Sequence, residues 1–247
     1  MERTHAWGLS APLHEPVPAL AAYDAGIAAI CQLASQFDDF TWGAQTPCLE
    51  WRAFELAGHL RCVADDFHEY LDEAPVSRYA RLMATGAHPD TLARKLARQN
   101  AAELAALADA PPADNIAAFA LSARRYAARL LAVWDLPHHQ YRDRVVTVGG
   151  MAGAACAEWH LHAWDLARAL GIDYQPANPA AVLAGWRAGM PHVPLPAASL
   201  GARAVRHYDP WHAVLAASGR LTTGHAAGTT RLTWTVWPVR LLRKRRD

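Results

Sequence analysis

The segment EWHLHAWDLARALG, residues 158–171, sets a carboxylate and an imidazole four positions apart at Glu158 and His162. On an α-helix that spacing is about 40° of rotation, so the two side chains share a face. His160 lies about 200° from Glu158 on the same wheel and points away, although it is nearer in sequence. Asp165, three past His162, is placed to accept the imidazole's other N–H or to hold a neighbouring arginine. Two donors on one helix need a third from a facing helix, and His59 is the candidate. Three ligands of N, N, O type leave a tetrahedral divalent ion one open position, as catalysis requires. Zinc is the first expectation, with another first-row divalent ion as the alternative. Spacing alone does not decide the matter, because Glu-x3-His also occurs on solvated helix faces and a lone histidine beside Leu60 also suits a packed core.

These side chains need helices to carry them. Apolar positions at Leu20, Tyr23, Ile27, Ile30, Cys31, Ala34 and Phe37 follow Pro16 and Pro18 at helical spacing and predict a first helix. Thr46-Pro47 reads as N-cap and first-turn proline of a second, carrying Trp51, Leu56, His59, Leu60, Val63 and Phe67 to about Leu71. A helical turn at Tyr79–Met83 lies in the connection between Pro75 and Pro89. Leu92, Leu96, Leu104 and Leu107 mark a third long helix, stopped by Pro111-Pro112. Asp114 reads as the cap of a fourth, with Ile116, Phe119, Ala123, Ala127, Leu130 and Trp134 on its apolar line. Between His138 and Gly150 the run YRDRVVTVGG predicts a strand or hairpin, with His138-His139 exposed in the loop after Pro137. Met151–Leu170 is helical again, closed by Gly171. Beyond it, prolines break the chain into short helices at 180–189 and Trp211–Ser218 and a strand at Arg231–Trp237, ending in the basic RLLRKRRD.

The fold class is therefore mainly α: an antiparallel four-helix bundle with a short β-hairpin over residues 1–171, and an irregular appendage over 172–247. With 52% hydrophobic residues in 247, the chain has enough to bury a core. A net charge of +1 offers no global field for nucleic acid, so no nucleic-acid partner is expected. No apolar run approaches the ~20 residues of a membrane span, and the first 15 residues mix charges rather than forming a leader. Cys31, Cys48, Cys62 and Cys156 form no Cys-x-x-Cys pair, which fits reduced thiols in a cytoplasmic, unexported protein. Cys62, one turn past His59, is a thiol that either faces the metal or simply packs. Glu55 reads as solvated, and Trp51, Trp159 and Trp164 as core.

The block TPCLEWRAFELAGHL, residues 46–60, resembles the threonine-proline-cysteine, tryptophan and terminal His-Leu signature of the N-terminal domain of mycothiol-dependent maleylpyruvate isomerases, and EWHLHAWDLARALG resembles its second signature. The resemblance covers roughly residues 17 to 171, with both blocks in order, and implies a DinB-like metal-binding bundle. It implies His59, Glu158 and His162 as metal ligands, the trio that the helical wheel selects. It further implies mycothiol, or a similar low-molecular-weight thiol, as cosubstrate. A metal-bound thiolate adds to an activated double bond, and its expulsion after rotation gives isomerisation; without expulsion the outcome is S-transfer. Asp165 and His160 are then candidate helpers in orientation or proton transfer. The small-molecule substrate is not encoded, and a homodimer is implied by the family without any heptad seam in the sequence. The C-terminal part departs from the isomerase pattern, except that DPWHAVLAASGR, residues 209–220, is similar to a short leucine-rich and Gly-Arg element of some relatives. Two other readings stay open: a non-catalytic or regulatory metal-binding bundle, and a thiol-independent metal hydrolase.

Overall fold

Pro16 opens α1 (Pro16–Ala34), where a fixed φ and a missing N–H cost nothing. The computed structural model describes residues 15–48, 51–193, 195 and 209–221, so the expected strand at 231–237 and the basic tail lie outside it. By length and composition α1 is long and apolar enough to cross a membrane, contrary to the expectation of no such run. Here Tyr23, Ile27 and Ile30 turn inward and are buried.

The second helix, α2 (Ala53–Asp72), begins later than Thr46-Pro47 suggests. Thr46 is buried, and its hydroxyl is shared between the carbonyls of Cys48 (3.1 Å) and Trp51 (2.7 Å), closing a loop instead of starting a helix. Glu55 is the residue that starts α2: its carboxylate accepts the Arg52 N–H at 2.8 Å. A short α3 (Arg78–Ala84) follows, with Ser77 accepting the Ala80 N–H. Next come α4 (Pro89–Ala106) and α5 (Pro112–Leu130). Asp114 is inside the first turn of α5, where a negative charge meets the helix dipole, rather than at its cap.

The strands β1 (Pro137–Tyr141) and β2 (Arg144–Thr147) pair antiparallel and lead directly into α6 (Val148–Ala169), whose N-cap is Thr147. From Val148 through Ala163 every residue of α6 is buried, so this helix is an axis of the molecule rather than a surface element. Four helices surround the core in a ring, α1 against α6, α6 against α2, α2 against α5 and α5 against α1. Trp159 of α6 fills the middle, with Phe119, Phe67 and Tyr23 set edge-on at ring distances of 4.9, 5.8 and 5.9 Å.

Beyond Gly171, whose φ of +71° suits a glycine at a helix end, the chain returns as α7 (Pro179–Gly189), which packs on α6, and α8 (Pro210–Ala217), which packs on α7. Gly153 of α6 and Gly185 of α7 let the two backbones touch: a Cβ on Gly153 would stand 2.6 Å from the Gly185 Cα. Gly185→Val is expected to prise α7 from α6 at a cost of roughly 1–3 kcal/mol, a fall in Tm of roughly 2–12 °C in a thermal melt. An unchanged melt would mean that this contact is not close-packed in solution.

Candidate metal centre

The first half of α2 and the second half of α6 meet where His59 faces Glu158 and His162. All three are buried to 1% exposure or less. His162 Nε2 is 2.9 Å from Glu158 Oε1 and His59 Nε2 is 3.5 Å from the same oxygen. One donor atom from each residue lies within 4.8 Å of the other two. A tetrahedral zinc about 2.0 Å from each ligand sets its donors about 3.3 Å apart, so the group has the dimensions of a metal site.

Polar bookkeeping points the same way. His59 Nε2 and Glu158 Oε2 are buried with no hydrogen-bond partner, and each such orphan costs roughly 1–3 kcal/mol. A cation among the three would satisfy both. Burial holds His59 down to about 4, so it presents a neutral imidazole, the form that ligates. Burial pushes Glu158 up, but His162 and His59 outweigh it and leave the carboxylate below its usual range. For His162, burial pulls down and is outweighed by Glu158 and Asp165, so this imidazole holds a proton more readily than usual.

A second layer aims His162. Its Nδ1–H donates to Asp165 Oδ2 at 2.9 Å, leaving Nε2 directed at Glu158. Asp165 is fully buried and gripped from the far side by Arg220, which follows α8: Nε donates to Oδ1 at 2.9 Å and Nη2 to Oδ2. The Cys48 thiol donates to the same Oδ2 at 3.2 Å. Burial works against the Asp165 carboxylate, but Arg220 and then His162 hold it far below the ordinary range. Cys48 is pushed well up by burial and then by Asp165, so it stays a thiol and a donor. Cys48, His162 and Asp165 also gather within 4.8 Å, yet the Arg220 guanidinium already supplies the positive charge there.

Trp51 completes the wall, its ring 4.1 Å from that of His59. The purpose of the Thr46 loop is now visible: one hydroxyl fixes the carbonyls of Cys48 and Trp51, whose side chains brace Asp165 and His59 respectively.

His59, Glu158, His162 and Asp165 are thus brought together, while His160 is not. Its Nε2–H donates to the Ala22 carbonyl of α1 at 2.9 Å, and Nδ1 accepts from the Tyr174 hydroxyl at 2.5 Å, so its work is to pin α6 to its neighbours. His160→Leu is expected to cost roughly 1–3 kcal/mol by leaving those groups unpaired, with metal affinity unchanged in a chelator competition. Cys62 is also away from the centre: burial, Glu103 and Asp66 raise its thiol to about 12. Sequence reasoning passed over Cys48 and Arg220. The signals for them were the third residue of the TPC run and the arginine of the Gly-Arg element.

A helical bundle with two histidines and a glutamate converging from two of its helices is the architecture of DinB-like proteins. The chain belongs to the mycothiol maleylpyruvate isomerase N-terminal domain family, whose model matches residues 23–167. No curated protein and no solved structure gives a match. The matched region holds every candidate ligand but ends before Arg220.

Proposed function

We propose that this chain is a metal-dependent enzyme that uses a low-molecular-weight thiol of the mycothiol type as nucleophile on a small electrophile, by isomerisation or S-transfer. The observation that carries the reading is the pair of orphaned buried atoms, His59 Nε2 and Glu158 Oε2, beside an imidazole whose far nitrogen is already tied to Asp165. A divalent ion held there, zinc first, supplies the positive charge that keeps a thiol as thiolate near neutral pH. The protein's part is orientation. Trp51 pins His59, Asp165 sets His162, and Arg220 locks Asp165, so the three donors need little rearrangement on loading.

The test is to follow consumption of mycothiol, or of a simpler thiol, against a panel of activated alkenes and alkyl halides, with zinc-loaded and metal-stripped protein. Turnover that requires both metal and thiol is expected. Turnover in thiol-free buffer would move the reading to a hydrolase, and none across the panel would favour a bundle that binds metal without catalysis.

A further inference from the structure

The hairpin carries a second concentration of histidine, remote in role from the centre. In β1 the register slips: Pro137 pairs with Thr147 and His139 with Val146, so His138 is an extra residue. A regular strand sends successive side chains to opposite faces, but a bulge re-aims one of them. Both His138 and His139 are buried as a result, correcting the expectation of an exposed pair. The turn after α7 adds His192, also buried.

The two adjacent rings stand at 84° with their Nδ1 atoms 3.0 Å apart. That contact is a hydrogen bond only if one Nδ1 carries a proton and the other does not. Protonating the acceptor sets two N–H groups face to face in a buried space. Three further nitrogens, Nε2 of His138 and of His139 and Nδ1 of His192, are buried with no hydrogen-bond partner, so at these atoms nothing waits to receive a new N–H.

Among the described residues, none of the three rings has a carboxylate partner. From α3, Tyr79 sits edge-on to His139 at 5.1 Å and to His138 at 6.4 Å, backed by Tyr70 of α2. Of the charges on α3, Arg78 is engaged with Asp66, Glu69 and Glu103, and Arg81 is exposed. Tyr141 packs on His192 at 5.7 Å, with Arg142 over its ring. β2 brings Arg144, α7 brings the exposed Arg187, and the first ten residues of α6 carry one titratable group, the Cys156 thiol. The hairpin's own carboxylates, Asp135 and Asp143, are exposed. Burial pulls His138 and His192 down to about 4, and burial together with its two histidine neighbours holds His139 well below its ordinary value. Among the described residues, both groups that gather donors for an ion include His162 and neither includes these three. A proton is the ligand that this cluster is built to refuse.

We propose that His138, His139 and His192 form an acid-operated latch: neutral, they close the hairpin onto α3 and the turn after α7, and on taking up protons they release it. The hairpin runs straight into α6, the helix that carries Glu158 and His162, through the Thr147 cap. The latch stands on its own observations and holds whether or not the centre binds metal.

The test is amide hydrogen exchange on the full chain from pH 7.5 to 5.0, corrected for intrinsic rates. Protection of residues 138–147 is expected to fall about tenfold per pH unit below ~6.5 for each histidine that must be protonated to open, while Phe119–Tyr126 of α5 keeps its protection. His139→Gln with His192→Gln should flatten that fall. A hairpin whose protection is independent of pH, or falls only in step with α5, overturns the latch. If the variants do not fold, imidazole nitrogen spectra of the wild type decide. Neutral rings at His138 and His139 down to pH 5 while the hairpin stays closed support the latch. Ordinary titration near pH 6.5 with hairpin protection intact refutes it.

Discussion

His162→Ala is expected to abolish metal loading, and His59→Ala to weaken it by at least roughly a hundredfold, while far-ultraviolet circular dichroism stays that of a helical bundle. His162 is the costlier loss because it is the ligand with its own support: removing it also takes a partner from Asp165, which then keeps only Arg220 and the Cys48 thiol. His59 has no such dependant, only Trp51 against its face, so Trp51 emission is expected to shift in His59→Ala and little in His162→Ala. Elemental analysis at controlled occupancy, with chelator competition, reads both; about one equivalent of zinc is expected in the wild type. The pH dependence follows from the protonation states. His162 in the metal-free protein holds its proton more readily than an ordinary histidine because Glu158 and Asp165 outweigh its burial, and a metal must displace that proton, so affinity falls as pH drops and recovers as it rises. Wild-type protein that stays metal-free after reconstitution would remove the basis of the catalytic reading.

How much of this was legible beforehand differs between the two halves of the site. Glu158, His162 and Asp165 lie within eight residues of one helix, and helical rotation alone places them on one side and His160 on another. His59 is ninety-nine residues from Glu158 and was reachable only because α2 reads clearly as a helix and the two sequence blocks resemble one family. Arg220 was out of reach of any local rule. Its partner is fifty-five residues away, across a proline-broken stretch with no long periodic helix, and only the packing of α7 on α6 and of α8 on α7 brings it back. The start of α2 was misread because Thr-Pro is a sound N-cap pattern in isolation; Thr46 instead spends its hydroxyl on two loop carbonyls, a tertiary demand that overrides the local signal. The histidine pair at 138–139 failed for a related reason. Polar residues after a proline read as exposed, and nothing in the sequence announces a one-residue bulge.

Arg220→Met is expected to be the most destabilising single change in this region. It leaves Asp165 a buried carboxylate with only His162 and the Cys48 thiol as partners. Breaking a buried pair in this way costs roughly 3–5 kcal/mol, a fall in Tm of roughly 6–20 °C for a chain of this size. The sign with pH is fixed by Asp165, whose folded carboxyl is held below its unfolded range. Its stabilisation is complete above about pH 4 and is lost as pH falls further, so the deficit of Arg220→Met is present at neutral pH and shrinks in acid. Pairing it with Asp165→Leu separates stability from function. The double variant has no unpaired buried charge and is expected to regain much of the lost stability, because apolar side chains replace a buried ion pair at little net cost. Metal affinity is not expected to return with it: His162 Nδ1 then has no carboxylate to donate to, the ring is no longer aimed, and binding should remain roughly 10–100-fold weaker. Recovery of both together would mean that Asp165 and Arg220 serve only to hold the chain beyond α8 against α6, and that the imidazole is set by packing against Trp51 and His59 instead.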